Sequence, residues 1–255
     1  MKKNGFTLTE ALLALAIIGI VAALTIPSVT LEHRKRTYGA SLAAAVSDFE
    51  TAMSFLIMRD GVDNLLETRA WKVADEEGEI SSGSIDENVE KFVNNLNKTL
   101  RIDSYYNNYK DYYKDAKINL LNGSEYNPAT DNYSNFSQSI IITSKNTAYS
   151  LCMLSNTGDI GATNYQTEKD ILNAGGNLYL SAMDVTIDVN GLDKPNTFGR
   201  DIFHYKLGID GKLYPIGGKD YSIWANNWNN TCESSNDDGY HCAGRLAENN
   251  YKMDY

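Results

Sequence analysis

Between Ala11 and Ile26 the chain carries no charged residue, and Thr25 is the single polar side chain there. With Phe6 to Thr9 included, the run reaches the roughly 20 residues that a helix needs to cross the hydrocarbon core of a bilayer. Lys2 and Lys3 flank it on the N-terminal side and His33-Arg34-Lys35-Arg36 lies just beyond it. Three readings fit such a run. It is a secretory signal cut near Val21-Ala22-Ala23, a plain transmembrane anchor, or a segment cut ahead of the apolar run, between Gly5 and Phe6.

Glu10 separates these readings. A carboxylate costs about 2.5–3.5 kcal/mol at the centre of an inserted helix, and less near its end. A plain anchor gains nothing from it. After a cut behind Gly5, Phe6 carries a new α-amino group and Glu10 stands one helical turn away. The carboxylate also suits the positive end of the helix dipole. Inside an apolar bundle, a pair between Glu10 and the amino group of a neighbouring subunit is desolvated and orientation-specific, so it sets register.

Gly5-Phe6-Thr7-Leu8-Thr9-Glu10, after a short basic leader, resembles the processing motif of type IV pilins and type II secretion pseudopilins. The resemblance implies a prepilin peptidase that cuts after Gly5 and methylates Phe6. It also implies partner pilin or pseudopilin subunits, an inner-membrane assembly platform and a motor ATPase. Ala22-Ala23-Leu24-Thr25-Ile26-Pro27 is similar to the end of the buried helix in these proteins. Pro27 removes one backbone donor and crowds the carbonyl of Ala23, so a kink is expected there rather than an end.

Beyond Pro27, Leu31, Tyr38, Leu42, Ala45, Val46, Phe49, Met53, Leu56 and Ile57 recur at steps of three, four and seven. That is one face of a helix, and Gly61 supplies its stop. A helix from Phe6 to about Met58 is roughly 80 Å long at 1.5 Å per residue. The basic cluster at 33–36 reads as a headgroup-facing or solvated surface, or as a contact to acidic surface on a neighbour.

Further on, Ser84 and Glu87 fit a capping box, with Val89, Phe92, Val93, Leu96 and Leu100 at helical spacing behind it. Tyr105, Tyr109, Tyr112 and Tyr113 share a helical face in this reading, as surface or subunit-contact tyrosines. From Ser139 the period changes. Ser139 to Thr143, Ala148 to Leu154 and Asp184 to Val189 read as strands, and Phe203 to Ile209 and Lys212 to Ile216 as a hairpin around Asp210-Gly211. The expected class is α+β, with the long helix packed on one face of an antiparallel sheet, the arrangement of a pilin-like head. The expected organisation is a leader (1–5), a membrane and filament-core helix (6–26), its amphipathic continuation (27–58) and a head (59–255). The head divides into a helical insertion (59–138), a sheet (139–220) and a disulfide-closed region (221–255).

Between the third strand and the hairpin runs Asp188-Val189-Asn190-Gly191-Leu192-Asp193-Lys194-Pro195-Asn196-Thr197-Phe198-Gly199-Arg200-Asp201. Asp188, Asn190, Asp193, Asn196 and Asp201 supply the hard oxygens that calcium prefers. The twelfth position is Gly199 and not Glu, so this is no EF-hand. The rival is a loop whose Asp and Asn side chains bond their own backbone, with Arg200 available to pair with a carboxylate. Some pseudopilins use a calcium loop; no cofactor is required by the resemblance, and calcium is the ion such a loop would take.

The cysteines are Cys152, Cys232 and Cys242. The last two permit one local disulfide, and a disulfide-closed C-terminal loop is common in pilins. A zinc site would need more than Cys232, His241 and Cys242, and adjacent His and Cys chelate poorly together. Cys152, in an expected strand, reads as a buried apolar thiol. A net charge of −10 argues against direct nucleic-acid binding, which needs clustered Lys and Arg. No phosphate loop, nucleophile elbow or His-Glu-x-x-His motif occurs, so no enzymatic activity is expected. The expected protein is a filament subunit held in the inner membrane with its head outside the cytoplasm. The rival is a membrane-anchored binding protein that does not polymerise.

Overall fold

The computed structural model describes residues 7–70, 85–126, 139–153, 181–217, 232 and 237–255. One helix, α1 (Leu8–Asp60), opens the chain, and Pro27 lies inside it rather than ending it. It stops where expected: Gly61 takes φ +64°, a left-handed conformation that glycine adopts without a Cβ penalty. The chain divides into two compact units, residues 1–37 and 38–255.

In the first unit, α1 is apolar and exposed from Leu8 through Leu31. Its few hydroxyls are satisfied locally. Thr25 Oγ1 donates to the Val21 carbonyl (2.9 Å), Ser28 Oγ to Thr25 O (2.9 Å) and Thr30 Oγ1 to Ile26 O (2.8 Å). Such back-bonding lets a polar side chain sit in an apolar medium without an orphaned donor. Leu31, read from the periodicity as part of the amphipathic face, is 52% exposed. The burial that this periodicity anticipates begins at Gly39, so Leu31 continues the uncovered apolar run.

In the second unit, Leu42, Ala45, Val46, Phe49, Ala52, Met53 and Leu56 of α1 are buried in the main core. They meet a six-stranded antiparallel meander. Its strands are β1 (Ile102–Tyr106), β2 (Ser139–Thr143), β3 (Ala148–Met153), β4 (Ser181–Asp188), β5 (Ile202–Gly208) and β6 (Leu213–Pro215), paired in sequence order. Register places Tyr149 opposite Ile187, Val185 opposite Tyr205 and Ile187 opposite Phe203. These side chains share one face because alternate residues of a strand point the same way, and they join the helix core. Phe49 and Tyr149 stack with centroids 5.2 Å apart, and Tyr149 donates its hydroxyl to the Ala45 carbonyl at 2.9 Å. Glu50 accepts a hydrogen bond from Leu213 N (2.9 Å), tying the short edge strand to the helix.

The α+β expectation holds, with differences in detail. The span 59–138, read as a helical insertion, contains α2 (Ile85–Leu100) but also β1, which pairs with β2. Tyr105 and Tyr106 therefore belong to a strand, and Tyr109 to Tyr112 form a separate short helix, α3. Tyr112 and Tyr113 are buried with Ile118, Ile140, Ile142, Phe198 and Ile202 in a second core on the other sheet face. They are neither one helical face nor surface residues. Their amphipathic rings fill apolar space while each hydroxyl keeps a polar neighbour. The capping box at Ser84 and Glu87 lies outside the described residues.

A short helix, α4 (Cys242–Glu248), begins at Cys242, and Ala243, Leu246 and Met253 are buried in the main core. The described residues from 242 to 253 thus contribute to the main core. This segment crosses α1 at Gly39, where a Cβ would stand 2.0 Å from the Tyr251 carbonyl oxygen. Glycine is the residue that permits this approach. At the end of α1, Asp60 takes hydrogen bonds from Arg59 Nε (2.8 Å), Arg69 N (2.7 Å) and Arg69 Nη2 (2.8 Å).

Candidate functional site

The first candidate is the beginning of α1. Gly5 and Phe6, the processing residues, lie outside the described residues, as does the basic leader. Glu10 is described, and it has a partner that periodicity did not reveal. Thr7 N donates to Glu10 Oε2 at 2.9 Å, Thr7 Oγ1 donates to the same oxygen at 2.7 Å, and Glu10 N donates back to Thr7 Oγ1 at 3.3 Å. Thr7-Leu8-Thr9-Glu10 is a capping box, in which two backbone donors left over at a helix start are satisfied reciprocally. The Ser/Thr-x-x-Glu pattern was available in the sequence for this reading. Glu10 thus has a local role inside one chain, and its carboxylate is exposed at the helix start.

Behind it, Leu12, Leu13, Leu15, Ile17, Ile18 and Ile20 are all more than half exposed. The helix is long and apolar enough to cross a membrane. Monomeric soluble proteins rarely expose an apolar patch of more than a few hundred Å². Arg36 Nε meets Glu32 Oε1 at 3.2 Å one turn back, with both side chains largely exposed, a geometry worth only a few tenths of a kcal/mol.

The second candidate is the loop from Asp188 to Asp201. Register sets Asp188 opposite Ile202, and Val189 N donates to the Asp201 carbonyl at 2.9 Å, so the first and last acids are brought side by side. Both are buried. Asp188 accepts from the Tyr113 hydroxyl (2.6 Å) and Asn190 N (3.2 Å). Asp201 accepts from Thr197 N (2.6 Å) and Asn196 N (2.8 Å). Burial first, and each other's charge for Asp188, push both carboxyls above the usual carboxylate range, against the pull of the hydrogen bonds.

Asn190 spans the loop: its Nδ2 donates to the carbonyls of Asp193 (2.6 Å) and Lys194 (3.4 Å), and its amide also reaches Asp201. Asn196 is buried. Asp193 is not brought in, because its side chain is exposed and only its backbone carbonyl takes part. Burial pushes the Tyr255 phenol up, and the charge of Arg200, offered by the sequence as an ion-pair partner for the loop, opposes that shift. Gly191 (φ +62°) and Gly199 (φ +76°) make the turns, and a Cβ on Gly199 would lie 2.7 Å from Cys242 Sγ. The loop is therefore packed on the disulfide between Cys232 and Cys242.

That disulfide also removes the zinc reading, since both sulfurs are spent on each other. His204 is buried, shares a hydrogen bond with Thr186 through Nδ1 at 2.8 Å, and stacks on Phe198. Burial, with His241 and Lys206 nearby, holds its imidazole down to about 3, so it stays neutral. Lys206 pairs with buried Asp184 across β4 and β5. Cys152 stands on β3 opposite Asp184, and its side chain lies outside the described ones.

Comparison with known families matches residues 1–26 to the model of the prokaryotic N-terminal methylation motif. No curated protein and no solved structure matches the chain.

Proposed function

We propose that this chain, which carries the methylation motif that is the hallmark of type IV pilin-like and pseudopilin-like precursors, is a structural subunit of a type IV pilus or a type II secretion-like pseudopilus. A prepilin peptidase cuts it after Gly5 and methylates Phe6. Before assembly, residues 6–26 hold it in the inner membrane with the head outside the cytoplasm. During assembly the apolar helices leave the bilayer and bury one another in a helical filament, with an assembly platform and a motor supplying the work.

The observation that carries this reading is the coincidence of the motif with an uncovered apolar helix at the same residues. A helix apolar on every side needs lipid or other helices around it. Glu10 is the polar exception. In the monomer it caps its own helix through Thr7. In the filament it exchanges that cap for the amino terminus of a neighbour and sets register through a desolvated charge pair.

The test is intact mass with N-terminal sequencing of the protein taken from its native membrane. A chain starting at N-methyl-Phe6 supports the reading. A chain starting near Leu24, or one retaining Lys2 in processing-competent cells, removes it. Glu10→Ala then separates filament subunit from plain anchor. The expected result is normal membrane insertion with filament assembly lost.

A further inference from the structure

We infer that His33, Arg34, Lys35 and Arg36 form a basic collar around α1 that binds the anionic phospholipid headgroups of the outer leaflet. The inference rests on the reading above, in which residues 6–26 cross the inner membrane and the head stands outside.

Position along the helix comes first. From Leu8 to Leu31 the uncovered apolar stretch runs roughly 35 Å at 1.5 Å per residue. The hydrocarbon core is about 30 Å thick, and about 40–45 Å with its headgroups. With Leu8 at the inner edge of the hydrocarbon, the outer edge falls near residue 28, and His33 stands about 7 Å beyond it. That is the outer limit of the headgroup layer. The Cα–Cβ bonds of a helix tilt toward its N-terminus, so long Arg and Lys side chains lean back toward the bilayer and hold their charges at phosphate level. Arg36 shows this lean, with Nε meeting Glu32 Oε1 one turn back at 3.2 Å.

Position around the helix favours lipid over a protein partner. Consecutive residues stand about 100° apart, so the four span about 300° of the circumference. His33, Arg34 and Arg36 are exposed and Lys35 is half-buried. An acidic patch on a neighbouring protein covers one side of a helix, whereas headgroups surround it. Glu32 offsets Arg36. Among the described residues, Arg34 and Lys35 form no ion pair, so two positive charges stay uncompensated at adjacent positions. A zwitterionic headgroup carries its own cation and an anionic one does not, so these two charges select the anionic lipid. Nor does the collar set orientation. The Lys and Arg excess belongs on the cytoplasmic side, and processing removes Lys2 and Lys3 from that side, so the collar opposes the topology it sits in.

The test uses the full chain taken from its native membrane, delipidated in detergent micelles and titrated with phosphatidylglycerol or phosphatidylcholine. Lipid adducts are counted by native mass spectrometry, and the same spectrum reads where the chain starts. Phosphatidylglycerol is expected to bind about fivefold more tightly or better, with the preference falling to about twofold or less when ammonium acetate is raised from about 0.05 M to about 0.5 M. Changing Arg34, Lys35 and Arg36 together to Gln removes the preference. Changing Lys114, Lys194 and Lys252 of the head together to Gln keeps it, although the net charge changes equally. Glu32→Gln, which frees Arg36, widens the preference about twofold and decides the matter if the triple collar variant fails to fold. Equal binding of the two lipids by a chain starting at N-methyl-Phe6 overturns the collar and leaves the pilin-like reading standing. A preference kept by the folded collar variant, or salt-sensitive self-association of the chain without a lipid preference, also overturns it. The expected preference in a chain retaining Lys2 supports the collar and removes the pilin-like reading, and a chain starting near Leu24 overturns both.

Discussion

Residues 8–31 and residues 38–60 belong to the same helix, yet they are written for different surroundings. The first stretch is apolar all round and uncovered, with Leu15 and Ile17 both more than half exposed. The second is apolar along one stripe, and that stripe is buried to the last methyl at Leu42, Phe49, Met53 and Leu56. A stripe needs one neighbouring surface, here the β2–β5 face, whereas an all-round apolar cylinder needs an apolar solvent or several partners. The boundary between the two compact units, at Thr37 and Tyr38, falls where the pattern changes. Helix formation itself does not distinguish the halves; what each half buries against does.

That contrast is open to direct attack. The largest effect is expected from Phe49→Ala, which removes a fully buried ring from the helix–sheet core. The full chain in detergent should lose about 3–5 kcal/mol in denaturant unfolding of the head. A loss below 1 kcal/mol would mean that the second half is not anchored as described. Reducing the Cys232–Cys242 bond, which spans 10 residues, should lower stability by about 2–3 kcal/mol, measured by unfolding with and without reductant. Gly39→Ala follows, at about 1–3 kcal/mol, because the new Cβ meets the backbone of Tyr251 and not a flexible side chain. Thermal melting of the variant tests whether the tail crosses α1 there.

A smaller effect concerns pH. Hydrogen bonds from Arg59, then those from Arg69, hold the Asp60 carboxyl well below the usual carboxylate range, against its burial. A depressed folded-state value means that stability is present above the unfolded value of about 3.9 and is lost as pH falls below it. Asp60→Asn should therefore flatten the acid limb of the stability profile below pH ~4, seen in melting temperatures across that range. Smallest of all, Ile17→Ala should leave head unfolding within about 0.5 kcal/mol of wild type. A loss comparable to that of Phe49→Ala would erase the distinction between the two halves.

Much of the head was legible from periodicity. The strands at 139–143 and 202–208 and the Asp210-Gly211 turn, with Gly211 at φ +79°, follow from alternation and turn chemistry. The strand at 102–106 was not legible, because Ile-Asp-Ser-Tyr-Tyr alternates weakly and its neighbours suggest a helix. It is a strand because β2 offers it a pairing edge. The burial of Tyr112 and Tyr113 was equally hidden, since a tyrosine-rich, charged stretch reads as surface until a second core is known to need filling. In the candidate loop, all five oxygen-bearing residues were visible. Only the pairing of Asp188 with Ile202 decided that Asp188 and Asp201 converge while Asp193 faces outward.

By itself, the sequence determined the start of this protein: the processing motif, the apolar run and the capping pattern of Thr7 and Glu10 are all local in the chain. It also determined which face of residues 38–60 is buried, because a helix turns composition into geometry at a fixed pitch. The tertiary structure alone decided what those faces meet, where the tail crosses at Gly39, and which acids become neighbours. Those outcomes join residues far apart in the chain, and no local propensity encodes them. They are set by which apolar surfaces close on one another when the sheet and helix pack.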